Sequence, residues 1–331
     1  MKKITCISYH GTGSGAVDDF LREFSNVHLA SQELECRFLQ DPNGISDLYF
    51  HLVENWHRLN SGFSIKQYEK FVKMYNHNYS LIFGRGWKIE SKKYINSLIK
   101  YKFKGYWHAD ILEVNPFSKC IYKCRRLVSK IMPKKIRKTS DYNYFPKLIS
   151  YHSLISKEEF LNKTRRYVDD LCSYINDKPD DFVVLDQFIA TTNIERYNMF
   201  VDDLKIIIVD RDPRDLYISG LCKRWKTHVL PHDVDIFCQQ YMDMRKSLDL
   251  ELKNSNVLKI QFEDLIYNYD STTNKIVSFL GLNKKNHVRK QEFFNPSISI
   301  NNTKLWEKYK DYENEIKIIE NKLHDYCYFS K

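Results

Sequence analysis

The sequence lacks long apolar runs. A membrane-spanning helix needs about 20 consecutive apolar residues, whereas the longest runs here are short, strand-like pieces such as residues 206–209 (IIIV). Lys2 and Lys3 stand at the start, but the long apolar stretch and cleavage site of a secretory signal do not follow them. The sequence therefore predicts neither a transmembrane helix nor export, and we expect a cytoplasmic protein.

Spacings typical of metal sites are also missing. The sequence has 8 cysteines, but none forms a C-x-x-C pair or has histidine partners at zinc-finger distances. Thiols without such partners are typical of a reducing compartment. We therefore expect free, buried thiols and no bound metal.

What the sequence does contain is a series of short apolar strands that alternate with helical segments. Of its 331 residues, 43% are hydrophobic and 15% aromatic, which indicates a globular chain. The predicted strands are residues 3–8, 27–39, 181–187, 204–210 and 257–262. This alternation predicts an α/β fold with an open parallel sheet flanked by helices. We expect a single domain, residues 1–331, with residues 45–180 as a large, mainly helical insertion.

The formal net charge of +10 predicts anionic partners without identifying them. Residues 119–138 hold 9 Lys or Arg residues and no Asp or Glu. Apolar residues are interleaved as on an amphipathic helix, namely Ile121, Leu127, Val128, Ile131 and Met132. Three interpretations stay open: a peripheral contact with a membrane surface, a site for an acidic glycan, or a solvated helix face. We predict no nucleic-acid partner.

The first predicted strand ends in a glycine-rich turn. Residues 11–16 (GTGSGA) suit a phosphate, because glycines allow close approach and the helix that follows offers free N–H groups. The lysine of the G-x-x-x-x-G-K-[ST] motif is missing, which argues against an ordinary nucleotide triphosphatase. The turn also fits the G-x-G-x-x-A pattern of a nicotinamide-dependent oxidoreductase, with Glu33 or Glu35 as the ribose-binding acid. A turn that only permits tight packing is a third interpretation.

A second element follows the predicted strand 204–210. Arg211 comes directly after it, at the edge where open α/β sheets bind ligands, and a guanidinium suits a phosphate. Asp212 and Pro213 are typical of the cap and the first position of the next helix. A dehydrogenase has no need of this element.

Arg211, with Ser219 eight residues later, resembles the second cofactor-binding element of the sulfotransferase superfamily, where both residues bind the 3′-phosphate. Residues 257–265 (VLKIQFEDL) and the segment from Pro296 to Trp306 are similar to two further family elements. The resemblance implies a P-loop-like fold that transfers a sulfuryl group from 3′-phosphoadenosine 5′-phosphosulfate (PAPS) to a hydroxyl or amine. The product nucleotide is then 3′-phosphoadenosine 5′-phosphate (PAP), and no metal is required.

By the same resemblance the first turn holds the 5′-phosphosulfate. The residues predicted to bind the donor are His10, Gly11, Thr12, Gly13, Ser14, Gly15, Ala16, Arg211 and Ser219. Gly11 stands where many members carry a lysine, and residues 299–301 (SIN) replace a basic pair and a glycine. One candidate for the missing cation is His10, whose alternative role is a hydrogen bond to the backbone. The other is the cluster Lys223, Arg224 and Lys226, whose alternative role is to compensate the helix dipole. Trp225 is expected to stack on adenine or to lie in the core. A non-catalytic nucleotide- or glycan-binding relative is the alternative.

The acceptor is predicted to be a small molecule or a glycan, selected by the 45–180 insertion; the aromatic and basic insertion favours a saccharide. Glu35 is the candidate base. It follows Glu33 at strand spacing, and residues 35–39 (ECRFL) resemble a segment of glycosaminoglycan sulfotransferases in which a Glu removes the acceptor proton. An ion pair between Glu35 and Arg37 is the alternative role. Asp186, at the end of a predicted strand, is the second candidate for a catalytic acid or base, with helix capping as its alternative.

Overall fold

The computed structural model describes residues 1–105, 109–110, 114–133, 149–223 and 230–329. The chain forms two compact units. The first, here called the sheet unit, comprises Met1–Gln40, Asn78–Gly84 and Val168–Lys331. The second, here called the helical unit, comprises Asp41–His77 and Arg85–Tyr167.

The sheet unit is built on a parallel sheet. The strands of the two units, in chain order, are β1 (Lys2–Ser8), β2 (Val27–Leu29), β3 (Tyr101–Lys104), β4 (Ile149–His152), β5 (Phe182–Val184), β6 (Leu204–Asp210) and β7 (Val257–Gln261). Five of them form one sheet in the order β2-β5-β1-β6-β7, and every neighbouring pair is parallel. The predicted α/β class with an open parallel sheet is confirmed.

Helices flank these strands in both units. In chain order they are α1 (Ser14–Leu21), α2 (Ile45–Tyr49), α3 (Asn60–Met74), α4 (Asn76–Phe83), α5 (Gly86–Leu98), α6 (Pro116–Ile131), α7 (Lys157–Cys172), α8 (Ile194–Asn198), α9 (Pro213–Ile218), α10 (Val234–Asp243), α11 (Leu248–Glu251), α12 (Asp264–Tyr267), α13 (Tyr269–Leu280), α14 (Pro296–Ser299), α15 (Leu305–Lys308) and α16 (Glu313–Lys322). Two π-helical turns, Phe50–Glu54 and Ser219–Lys223, directly follow α2 and α9.

The apolar residues that recur along the helices and strands of the sheet unit form its core. Val17, Phe20 and Leu21 of α1 are fully buried in one cluster with apolar residues of the strands and of α13. A second cluster joins α9, α10 and α16 through Leu216, Phe237 and Ile319, among others. Because helices cover a parallel sheet on both faces, its strands are apolar on both faces, as in the nearly continuous burial of β6.

The prediction of a strand over residues 27–39 is wrong beyond Leu29. After the bond from the Ala30 amide to the Val184 carbonyl, the segment next bonds to this part of the chain at Cys36, whose amide donates to the Asp186 carbonyl. The Ser31 hydroxyl then accepts hydrogen bonds from the amides of Glu33 and Leu34, at 3.2 and 3.0 Å. A local serine turn of this kind satisfies amides that a strand would give to a neighbour. Glu33 and Glu35 therefore do not share a strand face.

The helical unit has an aromatic core of its own. Trp87 is fully buried and donates a hydrogen bond to the Val72 carbonyl at 3.1 Å, while the rings of Tyr94 and Tyr167 stack at 4.6 Å. Its two strands, β3 and β4, form an antiparallel pair. This unit overlaps the predicted 45–180 insertion, although residues 168–180 belong to the sheet unit. The single-domain assignment and an acceptor-side role for the insertion stay predictions.

The basic amphipathic pattern that starts at Lys119 lies largely on α6. This helix carries five cations (Lys119, Lys123, Arg125, Arg126 and Lys130) and no acid. Several of its large apolar side chains are exposed, among them Phe117, Leu127 and Ile131. Residues 134–138 of the predicted basic cluster lie outside the described residues. Within the described ranges, no helix is both long and apolar enough to cross a membrane.

Candidate active site

A cleft of about 1100 Å³ opens at the carboxyl edge of the parallel sheet, within the sheet unit. Residues that follow β1, β5 and β6 line it, including Gly13, Asp186 and Arg211. β1 lies at the point where the strand order reverses, with β5 on one side and β6 on the other. Open α/β sheets bind ligands at this switch point. The cleft is thus the expected place for a ligand.

The first turn is fixed to the sheet by buried hydrogen bonds. The Tyr9 amide donates to the Thr12 hydroxyl at 3.1 Å, and that hydroxyl donates to the Val209 carbonyl at 2.5 Å. Thr12 is fully buried, so its side chain anchors the turn and does not face the cleft. This separates Thr12 from the other predicted donor-binding residues.

Gly13 is the residue at which the turn requires glycine. Its φ is 101°, a left-handed conformation, and an added Cβ would lie 2.6 Å from Cδ2 of Phe262. Gly13 is also the N-cap of α1, so it offers the helix start no capping side chain. The Ala16 amide bonds back to the Gly13 carbonyl. The amides of Ser14 and Gly15 precede this first bond of the helix, and both residues line the cleft. Free amides at a helix N-terminus attract an anion.

Gln187 connects three parts of the cleft, and the sequence did not identify it as a site residue. Its side-chain Nε2 donates to the hydroxyls of Ser8 and Ser14, at 2.8 and 2.9 Å. Its backbone adopts a φ of 51°, which is uncommon for a residue with a side chain. This conformation directs the end of β5 toward the start of α1.

Few cations line the cleft. Among the described lining residues the basic side chains are His10, Arg37 and Arg211. His10 is exposed beside the first turn and has a φ of 60°. Of the predicted cationic cluster, the side chain of Lys223 and all of Arg224 and Lys226 lie outside the described residues, as does Trp225. The source of the missing cation stays a prediction.

Arg211 lies at the end of β6, as predicted, and is buried. Its Nη1 donates to the Gly11 carbonyl at 3.3 Å and its Nη2 to the Asn302 carbonyl at 2.5 Å. The guanidinium carbon lies 5.2 Å from the centre of the Phe262 ring. Nε is buried and has no hydrogen-bond partner among the described residues. Burial lowers the pKa of Arg211, and nearby acids, first among them Asp215, oppose this.

A buried ion pair stiffens the strand end that carries Arg211. Asp210 accepts from Arg245 at 2.6 Å and from Lys259 at 3.0 Å, and it also accepts from the Arg211 amide. Burial alone would raise the pKa of Asp210, but the two cations bring it below the ordinary value. The ion pairs of Asp210 with Arg245 and Lys259 therefore hold the end of β6 in place and fix the backbone at Arg211.

The helix after Arg211 begins as the sequence predicts. Asp212 is its N-cap and accepts from the Arg214 amide at 2.8 Å, and Pro213 is its first residue. Ser219, at the end of α9, is mostly buried and lines the same cleft as Arg211. The structure thus brings Arg211, Ser219 and the first turn together.

The segment from Pro296 to Trp306 is tied to the same helix. Asp215 accepts from the amides of Lys304 and Leu305, at 2.8 and 2.6 Å. Burial, followed by the negative charge of Asp212, raises the pKa of Asp215 to about 6. Because Asn302 belongs to this segment, its carbonyl is held in contact with Arg211.

The two candidate catalytic acids occupy different environments. Glu35 is about half exposed, with 49% of its side-chain surface accessible, and it accepts a hydrogen bond from Arg37 at 3.1 Å. Asp186 follows β5, lines the cleft and has a buried oxygen, Oδ1, with no hydrogen-bond partner among the described residues. Burial raises the pKa of Asp186 to about 9.

Asp18 of α1 accompanies Asp186 in the cleft, and the sequence analysis missed it. Oδ1 of Asp18, like that of Asp186, is buried and has no hydrogen-bond partner among the described residues. Burial raises the pKa of Asp18 to about 7. The one feature of the sequence that marks Asp18 is its position beside the apolar face of α1, which Val17 and Leu21 define. Across the described residues, no three His, Cys, Asp or Glu side chains are grouped to hold a metal ion.

Sequence comparison identifies the family. A family model described as a sulfotransferase domain matches residues 138–317, more than half of the chain. The chain therefore belongs to the sulfotransferase domain family, and its class of reaction is sulfuryl transfer. The match contains Arg211, Ser219 and Trp306 but not the first turn. Comparison with curated protein sequences gives no match.

Solved sulfotransferases are among the similar structures. One is the sulfotransferase domain of the olefin synthase from Synechococcus PCC 7002, with 10% identity, a TM-score of 0.40, and coverage of 92% of this chain and 87% of that one. Sulfotransferase STF9 from Mycobacterium avium has 9% identity, a TM-score of 0.37, and coverage of 92% and 68%. Retinol dehydratase, solved with androsterone and inactive cofactor PAP, has 13% identity, a TM-score of 0.35, and coverage of 100% and 83%.

Proposed function

We propose that this sulfotransferase takes its sulfuryl group from PAPS and releases PAP. The observation that carries the proposal is Arg211, whose buried Nε has no hydrogen-bond partner among the described residues and whose side chain lines the same cleft as the first turn. A buried guanidinium nitrogen without a partner is costly. A phosphate group at this position removes that cost.

Different groups of the chain are proposed to bind the two ends of the donor. Arg211 and Ser219 are proposed to bind the 3′-phosphate, and the amides of Ser14 and Gly15 the 5′-phosphosulfate. His10, Gly11, Gly13 and Ala16 shape the turn around it, and Thr12 anchors the turn to β6. In sulfuryl transfer, as in phosphoryl transfer, charge spreads over the outer oxygens and the leaving group. Oriented amides stabilise that charge without moving.

The missing lysine of the first turn requires a substitute. We propose that His10 or the cluster Lys223, Arg224 and Lys226 contacts the transferring group. His10 is exposed next to the turn and lines the cleft. Replacing His10 by Gln, and the three cluster residues by Gln in a second variant, separates the two sources, because only the true one lowers turnover.

The acceptor is proposed to be a saccharide hydroxyl or amine, bound with the help of the helical unit. In this unit the rings of Tyr101 and His152 stack at 4.6 Å, and Trp56 contacts His152 edge-on at 6.2 Å. Trp56 and Tyr101 are exposed. Exposed aromatic faces suit sugar rings, which present apolar C–H surfaces. Incubating labelled PAPS with a panel of glycans and simple alcohols tests this: transfer only to non-sugar acceptors contradicts it.

Two rival functions make different predictions. A nicotinamide-dependent oxidoreductase binds NAD(H) and not PAP, and membership of the sulfotransferase family argues against it. A non-catalytic relative binds PAP but transfers no label from PAPS to any acceptor in the panel. Binding and turnover measured on one preparation therefore separate all three functions.

We further propose that α6 rests on an anionic membrane surface. The helix carries five cations and no acid. It also exposes the apolar side chains of Phe117, Leu127 and Ile131, which a hydrophilic glycan would not bind favourably. A basic helix with exposed apolar residues is typical of interfacial binding. A cytoplasmic location, expected from the unpaired cysteines, stays a prediction.

A further inference from the structure

The cleft holds an acid pair that the proposed donor site does not explain. Asp18 comes from α1 and Asp186 follows β5, so the folded sheet brings together two residues that are distant in sequence. Both residues line the cleft. Oδ1 of each is buried and has no hydrogen-bond partner among the described residues.

An ionised carboxylate can only accept hydrogen bonds, whereas a protonated one can also donate, so a proton held by one of the two acids would give both buried groups a partner. No salt bridge to Asp18 or Asp186 occurs among the described residues. The nearby cation Arg22 pairs with Asp19, and Arg37 pairs with Glu35. Nothing in the described chain therefore offsets two negative charges at this position.

The surroundings favour the protonated form further. Besides burial, the charges of Asp19 and Glu35 raise the pKa of Asp18 and Asp186 respectively. With pKa values of about 7 and 9, the pair retains a proton at neutral pH.

We propose that Asp18 and Asp186 share one proton and together act as the proton acceptor of sulfuryl transfer. This inference rests on the proposed function. As the acceptor oxygen or nitrogen bonds to sulfur, its proton passes to the pair. At the same time the bond between sulfur and the bridging oxygen of the 5′-phosphate breaks, and its electrons stay on the phosphate. The pair then holds two protons and returns one to solvent.

This assignment has two physical advantages over Glu35. A base is most effective when its pKa lies near the working pH, which the environment of the pair provides. Glu35, by contrast, is half exposed and bonded to Arg37. The shared proton also removes one negative charge from a cleft that is proposed to receive an anionic donor, so it reduces repulsion at the step of binding.

Proton uptake on PAP binding tests the pair without an acceptor. A bound anion raises the pKa of nearby acids, so the protein takes up protons when PAP binds. Calorimetry in buffers of different ionisation enthalpy, between about pH 7 and pH 9, measures the number. We expect a larger uptake for the wild type than for Asp186→Asn or Asp18→Asn. Asp270→Asn, the same change at an exposed acid of α13 that does not line the cleft, should match the wild type.

Turnover tests the catalytic role. With release of labelled sulfate from PAPS into water as the readout, Asp186→Asn should lower the rate by about 10²- to 10⁴-fold, and Glu35→Gln by less than about twofold. The melting temperature of each variant controls for folding. If PAP does not bind, the proposed function fails. If PAP binds but proton uptake is equal in the wild type and both pair variants, or if Glu35→Gln alone abolishes turnover, the pair is not the proton acceptor.

Discussion

The two sides of the cleft offer different groups to an anion. On the Arg211 side, a charged side chain is fixed by a capped helix, a buried ion pair and the segment that carries Asn302. On the first-turn side, the backbone amides of Ser14 and Gly15 follow the left-handed Gly13, and the basic residue next to the turn is His10. The family match includes Arg211 and begins after the first turn.

This difference teaches which substitutions are informative. A side chain that binds by charge is tested by removing the charge, whereas a turn that binds through its backbone is tested by disturbing its conformation. The two kinds of variant should also differ in how they affect stability, since removing Arg211 takes a donor from the carbonyls of Gly11 and Asn302, while Gly13 has no space for a side chain.

The largest effect is expected at Arg211. Arg211→Ala should weaken PAP binding by about 2–4 kcal/mol, because the 3′-phosphate loses a charge-assisted partner in a partly desolvated cleft. Adenosine 5′-phosphosulfate lacks the 3′-phosphate, so its affinity should hardly change. Calorimetry with both ligands measures the difference. Equal losses for the two would mean that Arg211 supports the fold and not the 3′-phosphate.

Gly13 should show the next largest effect, on stability. Gly13→Ala forces a left-handed φ on a residue with a side chain and places Cβ against Phe262. We expect a loss of about 1–3 kcal/mol in the free energy of unfolding. Gly15→Ala is the matched control: an added Cβ there meets no atom within 4 Å, and the protein should be as stable as the wild type or slightly more so. Urea unfolding of the two variants gives the comparison. Similar losses in both would show that the conformation of Gly13 is not special.

The acid pair should make stability depend on pH. The pKa of Asp186, about 9 when folded, lies above its unfolded value near 3.8, so the folded protein binds more protons in this window. Stability must then fall as the pH rises from about 4 to 9. Asp186→Asn removes part of this fall. The difference in free energy of unfolding between the variant and the wild type should therefore shift in favour of the variant by on the order of 1–2 kcal/mol from pH 5 to pH 9. Thermal melting at both pH values measures it. A variant that is equally affected at both would contradict a raised pKa.

The smallest effect on the cleft is expected from α6. Replacing Lys123, Arg126 and Lys130 by Gln should leave PAP affinity unchanged, because none of these residues lines the cleft. Sedimentation with vesicles that contain phosphatidylserine should fall by about tenfold at low salt, while phosphatidylcholine vesicles serve as the uncharged control. Unchanged sedimentation together with a raised Michaelis constant for an anionic acceptor would assign the helix to the acceptor instead.

The sequence predictions that the structure confirms depend on residues that are close together in the sequence. Arg211 at a strand end, Asp212 as a cap and Pro213 as the first helical residue follow from neighbours in sequence. The glycine turn before α1 is local in the same sense. The strand beyond Leu29 was wrong because the Ser31 hydroxyl satisfies the next amides, a competition that alternating apolarity does not reveal.

What the sequence could not predict depends on distant contacts. Asp18 and Asp186 meet only because β5 lies next to β1 in the sheet, an order that no local pattern specifies. Gln187 reaches Ser14 for the same reason. For Glu35, the ion pair with Arg37 had been the alternative role, and that contact is present in the structure; whether Glu35 also acts as a base stays a prediction.

Titration of the wild-type protein with PAP and with NADH in one calorimeter tests the central claim most directly. The account predicts saturable binding of PAP at a single site per chain, lost in Arg211→Ala, and no heat of binding for NADH. Saturable binding of NADH without binding of PAP would contradict it, because the cleft would then serve a nicotinamide cofactor through its first turn alone.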